Sequence, residues 1–240
     1  MHDDRDAQAE TMSDGPDTKS DGTDEAGSRR LAHNVYRRLE DMIFSGQLKG
    51  GSVLTERKLA EALDVSRTPL RDALLMLEGE GLLKRRSPRY LEVHQMTVPE
   101  FMQILNIRRL LEPEAARLCI GRVDAGLFAQ LHRRLAALLS QDTASSELRS
   151  GESAEIDKTV HEAIADGSGN PLMAGMIRDL RRRTRIFDLG RMPERAKAVY
   201  QEHLDIVVAI EIGDPHAASD AMTRHIDNVK TAVLRHITSI

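Results

Sequence analysis

Between Thr55 and Leu77 the chain has room for little except two short helices joined by a tight turn. Thr55 is a helix-capping residue, and Leu59 and Leu63 follow it at helical spacing. Asp64 and Val65 allow only a turn before Ser66, which caps the next helix. Pro69 falls in the first turn of that helix, where a missing N–H is tolerated. Leu70, Leu74 and Leu77 then form one apolar stripe, and Gly79 and Gly81 end the helix. Arg67, Thr68 and Arg71 leave its N-terminal half on the other side.

The flanking segments complete a small unit. Leu31, Val35, Leu39 and Ile43 stand four apart and predict an apolar helix stripe, closed by Gly46 and by Gly50-Gly51. Strands are expected near Leu82–Arg86 and Tyr90–Val93, joined by Ser87-Pro88-Arg89. Beyond Thr97 every segment has helical period. Thr97 and Glu100 have the spacing of a capping box. Ile104, Leu105, Leu111 and Leu118 are expected inside, with Pro113 as a kink or break. Further helices are expected near 124–140, 153–166, 171–189, 194–212 and 215–237. The fold class is therefore mainly α: an N-terminal winged helix-turn-helix with a small β-wing, then an all-α bundle.

Composition limits what such a chain can be. Aromatic residues are 3% of 240, with no Trp, which favours helices over a large sheet. A single cysteine, Cys119, makes no internal disulfide and no Cys-rich zinc site. It sits in an apolar stretch and is expected to be buried. No apolar run approaches the roughly 20 residues of a membrane span, and the acidic start lacks an apolar signal core, so the expectation is a cytoplasmic chain. Residues 1–28 read as a disordered acidic leader, because nine acids face only Arg5 and Lys19 within 1–27, with almost nothing apolar to bury. Residues 29–96 form the first expected domain and 97–240 the second. Residues 28–96 carry thirteen Lys or Arg against nine acids, a local excess that suits nucleic acid.

The side-chain chemistry of the first domain points the same way. An Arg at the start of an exposed helix can bridge guanine O6 and N7, and a Thr can meet a thymine methyl or a phosphate. Arg67, Thr68 and Arg71 are the candidate readers. Arg57 and Ser66 are candidates for the phosphate backbone, and Arg89 at the wing, beside Lys84, Arg85 and Arg86, for phosphates or the minor groove.

In the second domain Asp157 and His161 are one helical turn apart, and His203 and His225 sit on later helices. A carboxylate with three neutral imidazoles suits Zn²⁺, Ni²⁺ or Mn²⁺. Histidines on helix faces also serve as plain surface or core residues, so spacing alone leaves both readings open. His132, His216 and His236 are read as surface residues, and Arg181, Arg182, Arg183 and Arg185 as a solvated face, with anion binding by one of them as the alternative.

The run Leu59-Ala60-Glu61-Ala62-Leu63-Asp64-Val65-Ser66-Arg67-Thr68-Pro69-Leu70-Arg71-Asp72-Ala73-Leu74, continued by Leu77-Glu78-Gly79-Glu80-Gly81-Leu82-Leu83, resembles the signature of GntR-superfamily regulators. Tyr90 stands where that family usually has a wing-tip glycine. Residues 98–238 resemble the helical FCD-type effector domain of its FadR-like branch, with Gly169-Asn170-Pro171 and Gly213-Asp214 in register. The resemblance implies a metal on Asp157, His161, His203 and His225, and a small carboxylate effector paired with Arg108. A salt bridge from Arg108 to Glu112 is the alternative for that side chain. The expected function is a homodimeric, metabolite-responsive repressor on a near-palindromic operator, with no catalytic residue. The alternatives are a metal-dependent enzyme acting on a small organic acid and a constitutive DNA binder with an inert helical domain.

Overall fold

A computed structural model describes residues 21–140, 147–185 and 195–238. The acidic leader lies outside the described residues up to position 20, and residues 21–28 form the first turns of a helix. The element order is α1 (Asp21–Phe44), β1 (Val53–Leu54), α2 (Glu56–Leu63), α3 (Arg67–Gly79), β2 (Leu83–Ser87) and β3 (Tyr90–Val93), followed by helices alone. These are α4 (Val98–Leu118), α5 (Ala125–Ser140), α6 (Glu147–Gly167), α7 (Pro171–Arg185), α8 (Ala196–Glu211) and α9 (Pro215–Thr238).

Helix α1 buries Ala32, Val35, Tyr36, Leu39 and Ile43. Leu31, expected on that stripe, is 45% exposed, because the inward face is centred one residue further along at Ala32 and Tyr36. Thr55 caps α2 by accepting from the Lys58 amide. The connection to α3 turns on Asp64, a non-glycine residue at φ 53°, a conformation that Asp tolerates better than most. Leu70, Ala73, Leu74 and Leu77 of α3 are fully buried against α1 and the sheet.

The sheet is antiparallel with order β1-β3-β2. Strand β1 has no sequence signature, being two residues held by pairing Val53 with Glu92 and Leu54 with Leu91. At the wing tip Pro88 and Arg89 span Ser87 and Tyr90, and none of the four has positive φ. Without a primed turn the strands would splay, and a register irregularity between Arg85 and Ser87 absorbs the mismatch. Tyr90 therefore needs no glycine-like backbone and begins β3 in extended conformation.

Thr97 caps α4 by accepting from the Glu100 amide, while the Glu100 carboxylate meets His94 Nε2 at 3.0 Å. Helix α4 does not break at Pro113. Interior proline costs about 3 kcal/mol, but Glu112, Pro113, Ala115 and Ala116 are all buried and their packing holds the helix together. Leu111 and Leu118 are half-buried at its edge rather than central.

Helix α4 packs on α9, α7 and α6, α8 packs on α5 and α9, and α6 packs on α7 and α8. The shared core runs from Met96 to Val233 and includes Phe101, Phe128, Ile156, Val207 and Met222. Gly167, the last residue of α6, packs so closely that a Cβ there would meet Val123 Cγ1 at 2.7 Å and Cys119 Cβ at 3.0 Å, and Gly169 at φ +71° turns the chain out of the helix. No helix among the described residues is long and apolar enough to cross a membrane.

Candidate DNA-reading face and metal centre

Arg57, Ser66, Arg67, Thr68, Arg71 and Arg89 are all exposed. Arg57, Ser66 and Arg67 border a shallow depression between α2 and α3, together with Glu61 and Asp64. Ser66 occupies the N-cap position of α3, but its side chain makes no capping hydrogen bond, contrary to expectation. The first-turn amides of α3 are thus left for another acceptor. Arg71 is steered by Glu56 of α2, whose carboxylate accepts from Nε at 2.8 Å, and Arg57 pairs with Glu61 at 3.3 Å. In the wing, Arg85 is held by Glu78 and Arg86 by Glu92, while Lys84 and Arg89 are exposed.

Helices α6, α8 and α9 bring Asp157, His161, His203 and His225 together, with one donor atom from each within 4.8 Å of the others. The three histidines are almost fully buried. His161 Nε2 lies 3.3 Å from His203 Nε2, and Asp157 Oδ1 lies 3.5 Å from His203 Nε2 and 3.8 Å from His161 Nε2. Ligands about 2.0–2.1 Å from a tetrahedral ion stand about 3.3 Å apart, so these donors have the separation a divalent metal requires. Two facing imidazole lone pairs at such a distance repel unless a proton or a cation lies between them, and the donor set fits a cation there.

The surrounding carboxylates set the ring orientation. His161 Nδ1 donates to Glu112 Oε2, and His225 Nδ1 donates to Glu202 Oε2 at 2.8 Å. Each bond favours the tautomer whose Nε2 lone pair faces inward. Burial lowers the pKa of all three histidines, most strongly for His203 and His225, and keeps them neutral as metal ligation requires. Burial works against ionisation of Glu112, but Arg108 and His161 outweigh it and hold the carboxyl well below the usual range. At Asp157 burial is likewise outweighed, chiefly by Arg181, and the carboxyl stays ionised. Burial raises Glu202, only partly offset by Arg195 at 2.8 Å.

Arg108 is buried beside this centre. Its Nε donates to Glu112 Oε1 at 2.6 Å and its Nη1 to Thr184 Oγ1 at 3.2 Å. The α7 arginines form the expected solvated face only in part: Arg183 and Arg185 are exposed, while Arg181 and Arg182 are half-buried. Arg181 Nη2 donates to Asp157 Oδ2 at 2.5 Å, Arg182 pairs with Glu80, and Arg185 stacks over the Phe44 ring at 4.1 Å. His132 is half-buried and paired with Glu211, His216 is exposed, and the His236 side chain lies outside the described residues. Cys119 is buried, and burial pushes its thiol up to about 11.

Glu112, Glu202 and Arg181 are the site residues that sequence reasoning missed. Glu112 has a weak signal, since it stands one turn after Arg108 and could be read only as that residue's partner. Arg181 has none, because its link to Asp157 spans 24 residues and depends on how α6 and α7 pack.

Comparison with known proteins agrees with this architecture. Residues 31–93 match the model for bacterial regulatory proteins of the gntR family, and residues 103–228 match the FCD domain model. The transcriptional regulator LutR of Bacillus subtilis is 31% identical over 212 residues, covering 79% of this chain and 94% of LutR. The Glc operon transcriptional activator of Escherichia coli is 27% identical over 224 residues, covering 84% of this chain and 88% of the activator. Among solved structures, E. coli McbR/YncC superposes with a TM-score of 0.72 at 22% identity, covering 86% of this chain and 98% of that one. At that identity the likeness speaks for the fold alone. The chain belongs to the gntR family of bacterial regulatory proteins, with an FCD domain behind its winged helix-turn-helix, and is a DNA-binding transcriptional regulator.

Proposed function

We propose that the protein is a metabolite-responsive repressor whose operator affinity is set by a divalent metal and a small carboxylate in the helical domain. The observation that carries this reading is the convergence of Asp157, His161, His203 and His225 behind a DNA-binding head. Residues 29–96 form that head and 97–240 the effector and dimerisation domain. Arg67, Thr68 and Arg71 read base edges, while Arg57, Ser66 and Arg89 hold the phosphate backbone. The exposure of all six and the uncapped start of α3 support this assignment.

The four ligands would hold Zn²⁺, Ni²⁺ or Mn²⁺ and leave coordination positions for an effector oxygen. When bound, the metal supplies a Lewis-acid contact for a carboxylate. Glu112 and Glu202 orient His161 and His225, and Arg108 meets the effector's charge by giving up its bond to Thr184. The acting form is a homodimer on a near-palindromic operator. Helices α4 and α7, packed on each other, expose Ile107, Leu110, Leu172 and Met176, which supports a second copy covering that face.

The test is elemental analysis and native mass spectrometry of freshly purified protein, paired with gel shifts on its own promoter DNA at low salt. One metal per chain, a dimer mass and metal-dependent retardation are expected. Absence of any shift, with metal present and with metal removed, would sink the reading.

A further inference from the structure

We propose that α7 is a strut that transmits the state of the Asp157–histidine site to the C-terminal end of the DNA-reading helix, through the adjacent residues Arg181 and Arg182. The inference rests on the ligand site described above and adds the route by which it acts on the head.

Successive residues on a helix point about 100° apart, so neighbours in sequence serve different surroundings. Arg181 faces the site. Its Nη2 donates to Asp157 Oδ2 and, at 3.3 Å, to the Asp157 carbonyl, while Nη1 lies 3.8 Å from Glu112 Oε2. Arg182 faces the head. Its Nη1 pairs with Glu80 Oε1, and its Nε lies 4.0 Å from Glu40 Oε1.

Glu80 is the C-cap residue of α3, the helix that carries Arg67 and Arg71. A carboxylate there opposes the negative end of the helix dipole, and a cation beside it relieves the conflict. The Tyr36 hydroxyl lies 2.7 Å from Glu80 Oε2 and 3.0 Å from Glu40 Oε1. Burial, reinforced by the bond to Glu80, keeps the phenol protonated. One hydroxyl proton cannot serve two carboxylates fully, so α1 and α3 meet through two acids that Arg182 holds together.

Two further contacts seat the same helix on the head. The Arg185 guanidinium lies over Phe44, the last residue of α1. Gly81, at φ +75°, leaves room for Arg183, whose Nε would lie 3.7 Å from a Cβ at that position. On the other side Thr184 accepts from the buried Arg108. Helix α7 is thus pinned at both ends of the proposed route.

A cation on Asp157 withdraws charge from the carboxylate that Arg181 holds, and an anionic ligand draws Arg181 toward itself. Either changes the seat of Arg181. A rigid helix passes such changes on as shifts of about 1–2 Å. At Arg182 the shift alters the clasp on Glu80 and Glu40, and so biases the placement of α3.

The experiment uses the full chain and Zn²⁺ as the probe. Hydrogen exchange is followed by mass spectrometry over residues 36–44 and 76–83, with Zn²⁺ and after chelation, in wild type and Arg182→Gln. Zn²⁺ is expected to change exchange in both segments of wild type. In Arg182→Gln, Zn²⁺ stoichiometry and affinity should be unchanged, the head should no longer respond, and operator affinity with and without Zn²⁺ should agree within about twofold. A wild type that binds Zn²⁺ with no response in the head overturns the strut, as does an Arg182→Gln variant that responds like wild type. If no Zn²⁺ binds, the metal reading fails instead. Asp157→Asn in metal-free protein then decides the strut by itself. Weakening the hold on Arg181 should alter exchange at 36–44 and 76–83, and unchanged exchange overturns the proposal.

Discussion

Glu112→Gln tests how the candidate metal centre is held together. The native carboxylate accepts from two donors at once, Arg108 Nε on Oε1 and His161 Nδ1 on Oε2, and is almost fully buried. An amide of the same shape offers one acceptor and one donor. If its oxygen serves Arg108, its NH₂ faces His161 and pushes the ring to the other tautomer, with Nε2–H pointing at the ligand centre. If its oxygen serves His161, a buried guanidinium N–H loses its acceptor. Disturbed outer partners of metal-bound histidines typically cost about 10–100-fold in metal affinity, or roughly 1.4–2.8 kcal/mol. The unsatisfied buried donor costs about 1–3 kcal/mol of folding stability, a fall in Tm of roughly 2–12 °C for a chain this long. Chelator competition and thermal denaturation of the metal-free protein measure the two effects separately. A variant with metal affinity within about threefold of wild type and an unchanged Tm would refute the reasoning.

Further outcomes are expected elsewhere in the chain. Arg67→Ala or Arg71→Ala should weaken operator binding about 5- to 150-fold while leaving random-sequence DNA much less affected; equal losses on both, in a fluorescence anisotropy titration, would remove base reading from these side chains. Arg108→Ala should lower metal affinity as well as effector response, because Arg108 holds the carboxylate that orients His161; calorimetry showing metal binding intact would separate the two roles. Leu74→Ala, at a fully buried position of α3, should cost about 2–5 kcal/mol in urea denaturation. The metal-free protein should be acid-labile in a defined direction. His161, His203 and His225 all lie below their ordinary 6.5 in the folded state. Between the folded and unfolded values the unfolded chain binds more protons, so stability is fully present above pH 6.5 and declines as pH falls, by up to about 1.4 kcal/mol per pH unit per histidine. Urea midpoints that stay flat from pH 7.5 to about 5.5 would contradict neutral, buried rings.

Local pattern was legible where one segment sufficed to decide it. Thr55, Thr97 and the Leu70–Leu74–Leu77 stripe act where their spacing put them, since capping and helix periodicity involve residues only a turn or two apart. The same local reasoning misjudged Pro113, whose cost is overridden by burial of α4, and Leu31, which sits at the margin of the α1 stripe. It could not see β1, because a two-residue strand exists only through its partner β3.

Residue type singled out the four candidate metal ligands and the resemblance to the FCD-type domain favoured a metal on them, while the spacing put Asp157 and His161 one helical turn apart. That much the sequence determined by itself, since i and i+4 on a helix share a face whatever surrounds it. Tertiary packing decided the rest. It brought His203 and His225 to within a ligand's distance of that face, set Glu112 and Glu202 behind the rings, and turned Arg181 inward and Arg182 toward the head. The reason is physical: the direction of a helical side chain follows from local geometry, but what it meets depends on which helix is packed opposite.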